Sequence, residues 1–234
     1  MEERIRKRKI VLVGTGFVGM SFAYSLLSEK GINELVLIDM NKDKAVGEQM
    51  DLSDGLPYAD SKMTIKAGEY EECGDADIVV ITAGAAQKPG QTRLELVGIN
   101  ARITKDVATQ VKNSGFKGIL VVASNPVDIM TYVAYKASGL PKEHVIGSGT
   151  ILDTARLRYN ISKRLGMAPS NVHAYILGEH GDSSFVPWIH CYLGCKNLLE
   201  YIDEEDTPTL EDLQNIYLEV RNAAYEIIDR KKAT

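Results

Sequence analysis

The chain has 234 residues, 44% of them hydrophobic and 25% charged, a balance that suits one large globular domain or two modest ones with a sizeable core. Its net charge of −5 lacks the basic surplus from which nucleic-acid binders draw their affinity, and no apolar run approaches the roughly 18 residues of a membrane span. Neither a nucleic acid nor a membrane is therefore expected as a partner. The basic start (Arg4, Arg6, Lys7, Arg8, Lys9) has no apolar stretch behind it and runs straight into an apparent strand. It reads as a solvated lead-in rather than a targeting peptide. The three cysteines, Cys73, Cys191 and Cys195, form no disulfide framework, which suits a reducing, cytoplasmic setting. Cys191 and Cys195 would share a face if they lay on a helix, but no further ligand stands at zinc-like spacing. Buried free thiols and no metal are expected.

In chain order, strand-length apolar runs cover Lys9–Val13, Glu34–Asp39, Met63–Ala67, Asp77–Ala83, Gly118–Ser124 and His144–Gly147. Between most of them lie helical stretches: Phe17–Lys30, Lys42–Leu52, Arg93–Ser114 and Val127–Ser138. Continuously apolar strands alternating with helices indicate an α/β protein whose parallel sheet is covered on both faces. After Gly147 the pattern changes to a helix over Ile151–Leu165, a strand pair over Asn171–Leu177 and Ser184–Trp188, an acidic linker Asp203–Thr209, and a final helix from Leu210 to Lys232. A domain boundary is placed there, with residues 1–147 as one domain and 148–234 as a second. The final helix has no evident cap before Thr234, so the second domain, of α+β type, is expected to be incomplete and one helix face uncovered.

Gly14-x-Gly16-x-x-Gly19 sits between the first strand and the first helix. Gly14 permits a tight turn, Gly16 a close approach of backbone to a pyrophosphate, and Gly19 close packing of helix on strand. The helix start then offers free N–H groups to the anion. An acid, Asp39, ends the second strand twenty residues after Gly19, where it would accept hydrogen bonds from ribose hydroxyls and repel a 2′-phosphate. The fold expected is a Rossmann-type doubly wound sheet, and the cofactor NAD rather than NADP.

Gly178-Glu179-His180-Gly181-Asp182 puts a histidine in a glycine-flanked turn after a strand. Alone it could be a surface histidine, yet histidine is also the natural group for moving a proton on and off an alcohol near neutral pH. It would need a carboxylate to orient it, and Asp153 on the Ile151–Leu165 helix is the candidate. Arg156 follows Asp153 at i+3, the spacing of a surface ion pair. If that face is buried, the guanidinium must meet an anion, and a substrate carboxylate suits its fork. The run Gly84-Ala85-Ala86-Gln87-Lys88-Pro89-Gly90-Gln91-Thr92-Arg93 follows the fourth strand, and could be a loop closing over a ligand or merely a surface loop.

Taken together, GTGFVG (14–19), GAAQKPGQTR (84–93), SNPVD (124–128), GTILDTARLR (149–158) and GEHGDS (178–183) resemble the L-lactate and malate dehydrogenase family, along essentially the whole chain. The resemblance implies that His180, paired with Asp153, gives and takes the proton, that Arg156 grips the substrate carboxylate, and that Arg93 polarises the carbonyl. It implies that Asn125 hydrogen-bonds the reacting oxygen and that Thr234 lines the substrate pocket. Lys232 stands where the family has glycine. Cofactor contacts are implied for Gly14, Gly16, Phe17, Val18, Gly19, Asp39, Gly84, Asn125 and Ser148. Malate dehydrogenases of the family carry arginine at the position of Gln87. A neutral Gln87 would leave the second carboxylate of oxaloacetate unpaired in a closing pocket, so pyruvate and L-lactate are the expected substrates.

Arg158 lies two residues beyond Arg156 and so points to another side of the helix. With His173 it resembles the pair by which bacterial lactate dehydrogenases bind fructose 1,6-bisphosphate, which implies an allosteric homotetramer. Without the family the two would be solvent-facing cations. The other readings are a malate or other 2-hydroxy acid dehydrogenase, and a truncated, inactive fragment that at most binds NAD.

Overall fold

The computed structural model describes residues 8–85, 93–202 and 208–231, except the side chain of Arg93. The chain divides into two compact units, 1–147 and 148–234. In the first, β1 (Lys9–Val13), β2 (Glu34–Ile38), β3 (Thr64–Ala67), β4 (Ile78–Ile81), β5 (Ile119–Val122) and β6 (Val145–Gly147) form one sheet, and every pairing is parallel. The strand order is β3-β2-β1-β4-β5-β6, so the direction of travel reverses between β1 and β4. The helices are α1 (Phe17–Leu26), α2 (Lys42–Gly55), α3 (Arg93–Asn113) and α4 (Val127–Ser138).

The period-2 geometry of a strand explains why the central runs are almost continuously apolar. Ile10, Leu12, Leu35, Leu37 and Val80 point to one face and pack with Ala23 and Leu26 of α1 and Leu52 of α2. Val11, Val13, Val36, Ile38, Val79 and Ile81 point to the other, against Val107, Ala108 and Val111 of α3 and Met130 and Ala134 of α4. Burying both faces leaves no room for a polar residue inside β1, and the one charge on it stands at its first position. Lys9 is only 5% exposed, which corrects the reading of the whole basic start as solvated. Its ammonium lies 2.6 Å from both Glu72 and Asp75. Burial alone would lower its pKa, but hydrogen bonds to those two carboxylates outweigh it and hold it above the ordinary lysine value. Residues 1–7 lie outside the described residues.

Helix α1 ends four residues before the expected Lys30. Leu27, Ser28 and Glu29 donate to Tyr24, Ser25 and Leu26, three residues back instead of four, so the last turn tightens and leaves the α ladder. Helix α2 runs three residues past the expected Leu52.

The second unit holds α5 (Ile151–Leu165), three short strands β7 (Val172–His173), β8 (Tyr192–Leu193) and β9 (Lys196–Asn197), and α6 (Leu210–Lys231). Leu157 and Ile161 of α5 meet Leu213, Ile216, Tyr217 and Val220 of α6 in a core that includes Val172, Ala174, Ile176, Leu193 and Leu198. The last turns of α6 expose Tyr225, Ile227 and Ile228. The expected strand pair is largely absent: Asn171–Leu177 and Ser184–Trp188 share a single bridge, Leu177 to Phe185. Pro187 cannot donate to a ladder, and a tight turn over Trp188–His190 follows it. β7 instead pairs antiparallel with β8, which forms a hairpin with β9. Its two-residue turn is Gly194-Cys195, with Gly194 at φ +58°, a conformation that favours glycine.

That hairpin corrects the cysteine reading. Cys191 and Cys195 lie on either side of β8, not on a helix, and Cys195 is exposed whereas Cys73 and Cys191 are buried. Burial pushes the Cys73 thiol up to about 12, and the Cys191 thiol is raised for the same reason. Among the described residues no helix is long and apolar enough to cross a membrane. The thiolate is the reactive form. Treatment of the native protein with a small alkylating reagent at neutral pH should label Cys195 quickly and spare the other two until denaturant is added. Fast labelling of Cys73 would contradict the core described above.

Candidate active site

In a parallel sheet every strand ends at the same edge, and the loops after β1 and β4 meet where the strand order reverses. Gly14 has φ +107°, and a Cβ there would lie 2.5 Å from the backbone nitrogen of Ala83. A Cβ on Gly19 would lie 2.0 Å from the Gly14 carbonyl oxygen, so α1 can approach β1 only with glycine at 19. Thr82 Oγ1 donates to that same carbonyl at 2.7 Å and stitches the β4 end to the turn. Gly16 differs: a Cβ there would meet no protein atom within 4 Å. The protein itself does not demand glycine at 16, and the bare backbone there leaves room for a close approach from outside. The turn leads into α1 without a side-chain cap among the described residues, and its first turn contains no acid, which leaves its N–H groups to an incoming anion. Phe17 and Val18 are exposed there.

Asp39 follows β2. Its Oδ2 accepts from the Thr15 amide at 2.8 Å and the Thr15 hydroxyl at 2.9 Å, and its Oδ1 from the Asn41 amide at 2.9 Å. Partial burial would raise its pKa, but the hydrogen bonds from Thr15 and Asn41 prevail and hold the carboxyl below its ordinary value. It is therefore a fixed carboxylate beside the glycine turn. A bare Gly16, an uncapped helix start and an ionised acid at the end of β2 fit a dinucleotide.

One residue that the sequence reading passed over joins the ends of β4 and β5. Asn100, on α3 and 4% exposed, accepts from the Ala85 amide through Oδ1 at 2.8 Å. It donates through Nδ2 to the Asn125 carbonyl at 2.9 Å. Its amide thus holds Gly84-Ala85 next to the Asn125 backbone, while the Asn125 side chain belongs to an exposed residue. In the sequence Asn100 was one polar residue in a long helix, with no spacing to mark it.

In the second unit Asp153 projects from the first turn of α5 and is 9% exposed. Its Oδ2 lies 2.5 Å from His180 Nδ1. A carboxylate only accepts, so Nδ1 carries the hydrogen and Nε2 is the nitrogen that can exchange a proton. Gly178, at φ +94°, turns the chain toward His180. Ser183 Oγ closes the turn on Glu179 at 2.8 Å, and the Tyr217 hydroxyl of α6 donates to the Ser184 carbonyl. Tyr217 is a second residue the sequence did not mark. The Asp153–Arg156 face is not a surface: the side chains are 12% and 20% exposed. Their single approach is 3.7 Å, so Asp153 does not engage the guanidinium fork as a bidentate partner.

Arg158, half-buried, donates through Nε to the Ala174 carbonyl at 3.0 Å and stacks 4.7 Å from the centre of the Tyr175 ring. It is thus not the free cation that spacing alone allowed; His173 is exposed. Ser148 falls in the second unit, where its carbonyl accepts from Ile151 at 3.2 Å. Gln87 and Thr234 lie outside the described residues, as does the Arg93 side chain, although Arg93 opens α3.

Residues 8–147 match the family of lactate/malate dehydrogenase NAD-binding domains, and residues 150–234 that of the α/β C-terminal domains. The chain belongs to the lactate/malate dehydrogenase family. An L-lactate dehydrogenase of Lactococcus lactis subsp. cremoris is 54% identical over 231 residues, covering 99% of this chain and 74% of the relative. The ligand-bound structure of the minor L-lactate dehydrogenase from Enterococcus mundtii is 53% identical with a TM-score of 0.94, covering 98% of this chain and 73% of that one. A lactate dehydrogenase from a Medee basin deep-sea metagenome library is 57% identical, also at a TM-score of 0.94 and with the same coverage. As a family member the chain is an NAD-dependent oxidoreductase, which agrees with the cofactor that the glycine turn and Asp39 suggested.

Replacing Asn100 by alanine should leave the half-buried Ala85 amide without its acceptor. A loss of about 1–3 kcal/mol is expected in denaturant unfolding. A variant as stable as the wild type would show that the bridge contributes nothing.

Proposed function

We propose that the chain is an L-lactate dehydrogenase that reversibly reduces pyruvate to L-lactate, with His180 as its proton donor and acceptor. The observation that carries this is the Asp153–His180 pair at 2.5 Å on the same helix turn as the half-buried Arg156. Gly14, Gly16, Phe17, Val18, Gly19 and Asp39 would hold the dinucleotide, with Gly84, Asn125 and Ser148 as further contacts. When bound there, the reduced dinucleotide would supply a hydride for the carbonyl carbon. His180 releases a proton from Nε2 to the carbonyl oxygen, and Asp153 stabilises the imidazolium and keeps the ring oriented. Arg156 binds the substrate carboxylate through its fork, Asn125 donates to the reacting oxygen, and Arg93 stabilises the charge that develops there. Gln87 selects a neutral substrate tail, and Thr234 lines the pocket. NADH oxidation by the wild type and by Arg156→Lys, with pyruvate and oxaloacetate compared, tests the assignment. Pyruvate should be preferred. The lysine variant should lose about 1.5–3 kcal/mol in kcat/KM for pyruvate, the scale of a charged hydrogen bond, with unchanged NADH affinity. A preference for oxaloacetate would make the chain a malate dehydrogenase, absence of turnover an inactive fragment, and equal loss of both affinities would remove Arg156 from the carboxylate site.

A second reading concerns regulation in a cytoplasmic homotetramer. Arg158 spends only its Nε on Ala174, and exposed His173 and Tyr175 alternate on one side of the adjoining segment. An arginine, a histidine and an aromatic ring so placed support an anion site, for which fructose 1,6-bisphosphate is the proposed ligand. The bisphosphate should lower the pyruvate KM and sharpen a tetramer boundary in sedimentation. An unchanged saturation curve would end this reading.

A further inference from the structure

Thr150, Thr154 and Arg158 recur every four residues, so from the start of α5 they form one stripe along the helix. The extended segment Ala174–Ile176 runs along that stripe. It lies between β7 and the Leu177–Phe185 bridge, and the described residues pair no strand with it. Side chains from the helix take its backbone polar groups instead. Arg158 Nε donates to the Ala174 carbonyl at 3.0 Å. The Ile176 amide donates to Thr154 Oγ1 at 3.0 Å, and Thr150 Oγ1 donates to the Ile176 carbonyl at 2.6 Å. Ile176 is buried, so both of its backbone groups need partners, and both find a threonine hydroxyl.

Held at both its N–H and its C=O, Ile176 cannot slide along α5 without losing two hydrogen bonds at once. Asp153 lies between the two threonines in sequence, and His180 begins only four residues after Ile176. We infer that Thr150 and Thr154 are positioning residues: their hydroxyls register the chain that carries His180 against the helix that carries Asp153. The two threonines act in complementary senses, one donating and one accepting, and a hydroxyl is the smallest side-chain group able to do either. The inference rests on the reading of His180 as the proton-transfer residue, and concerns what sets its place.

The test compares wild type, Thr154→Val, Thr154→Ser, Thr150→Val and His180→Gln. Pyruvate turnover, the NADH dissociation constant from fluorescence and the low-field imidazole N–H proton resonance of the ligand-free protein are read together. Valine keeps the shape and removes the hydroxyl. Thr154→Val should lower kcat roughly tenfold to hundredfold, the scale of a small misplacement of a reacting group, with the NADH dissociation constant unchanged. The His180 N–H resonance should broaden or vanish in it, and Thr154→Ser should restore both. Thr150→Val should act in the same direction, and it carries the test if Thr154→Val does not fold. Wild-type turnover with an unaltered resonance in the valine variants would overturn the inference. So would a folded serine variant as impaired as valine, because size and not the hydroxyl would then matter. Wild-type turnover by His180→Gln would defeat the underlying reading of His180, separately from the threonine result.

Discussion

The carboxylate of Asp153 is the charge around which the second unit is arranged. A buried carboxylate without partners is strongly unfavourable, and here one oxygen binds the His180 ring while the other faces Arg156 at longer range. That pairing demands that a turn 27 residues downstream return to the first turn of α5. The surrounding elements meet the demand: the bridge at Leu177, the positive φ of Gly178, and Tyr217 reaching from α6 to the Ser184 carbonyl. The result is a histidine with a defined tautomer on a chain segment braced from two helices.

The first unit obeys a different constraint. Its central strands β1, β2 and β4 are buried on both faces, so polar function is excluded from the middle of the sheet and confined to the strand ends. At the edge where the strands begin, Lys9 draws in Glu72 and Asp75. At the edge where they end, backbone geometry takes over: Gly14 and Gly19 bring the β1 turn, α1 and the β4 end together, whereas Gly16 leaves open space beside the turn. Asp39 and Asn100 then fix the neighbouring strand ends with hydrogen bonds to backbone amides. An ionised, immobile Asp39 suits recognition of ribose hydroxyls and rejection of an added phosphate.

Family membership and the local chemistry meet at the level of roles. The glycine turn and Asp39 speak for the dinucleotide, the Asp153–His180 pair for proton transfer, and Arg156 for an acidic substrate. The similar proteins are lactate dehydrogenases, and the chain spans about three quarters of their length. In the proposed function the choice of pyruvate over oxaloacetate rests on the neutral side chain of Gln87.

What the sequence by itself determined is whatever depends on neighbouring residues. Apolar runs of strand length, the Gly14–Gly19 spacing with Asp39, and the bounds of α4 and α5 are local properties, and they appear where the pattern put them. The Asn171–Trp188 stretch departs from the expected strand pair because strand propensity does not name a partner. Its polar groups go to helix α5 and to a hairpin at Gly194, and Pro187 bars the expected ladder. Only the tertiary structure decided that the Asp153–Arg156 face is buried, that Cys195 is exposed, and that Asn100, Tyr217 and two threonines hold the site residues in place. Each of these depends on a backbone group far away in the chain, and a single hydrogen bond between distant residues leaves no periodicity to read.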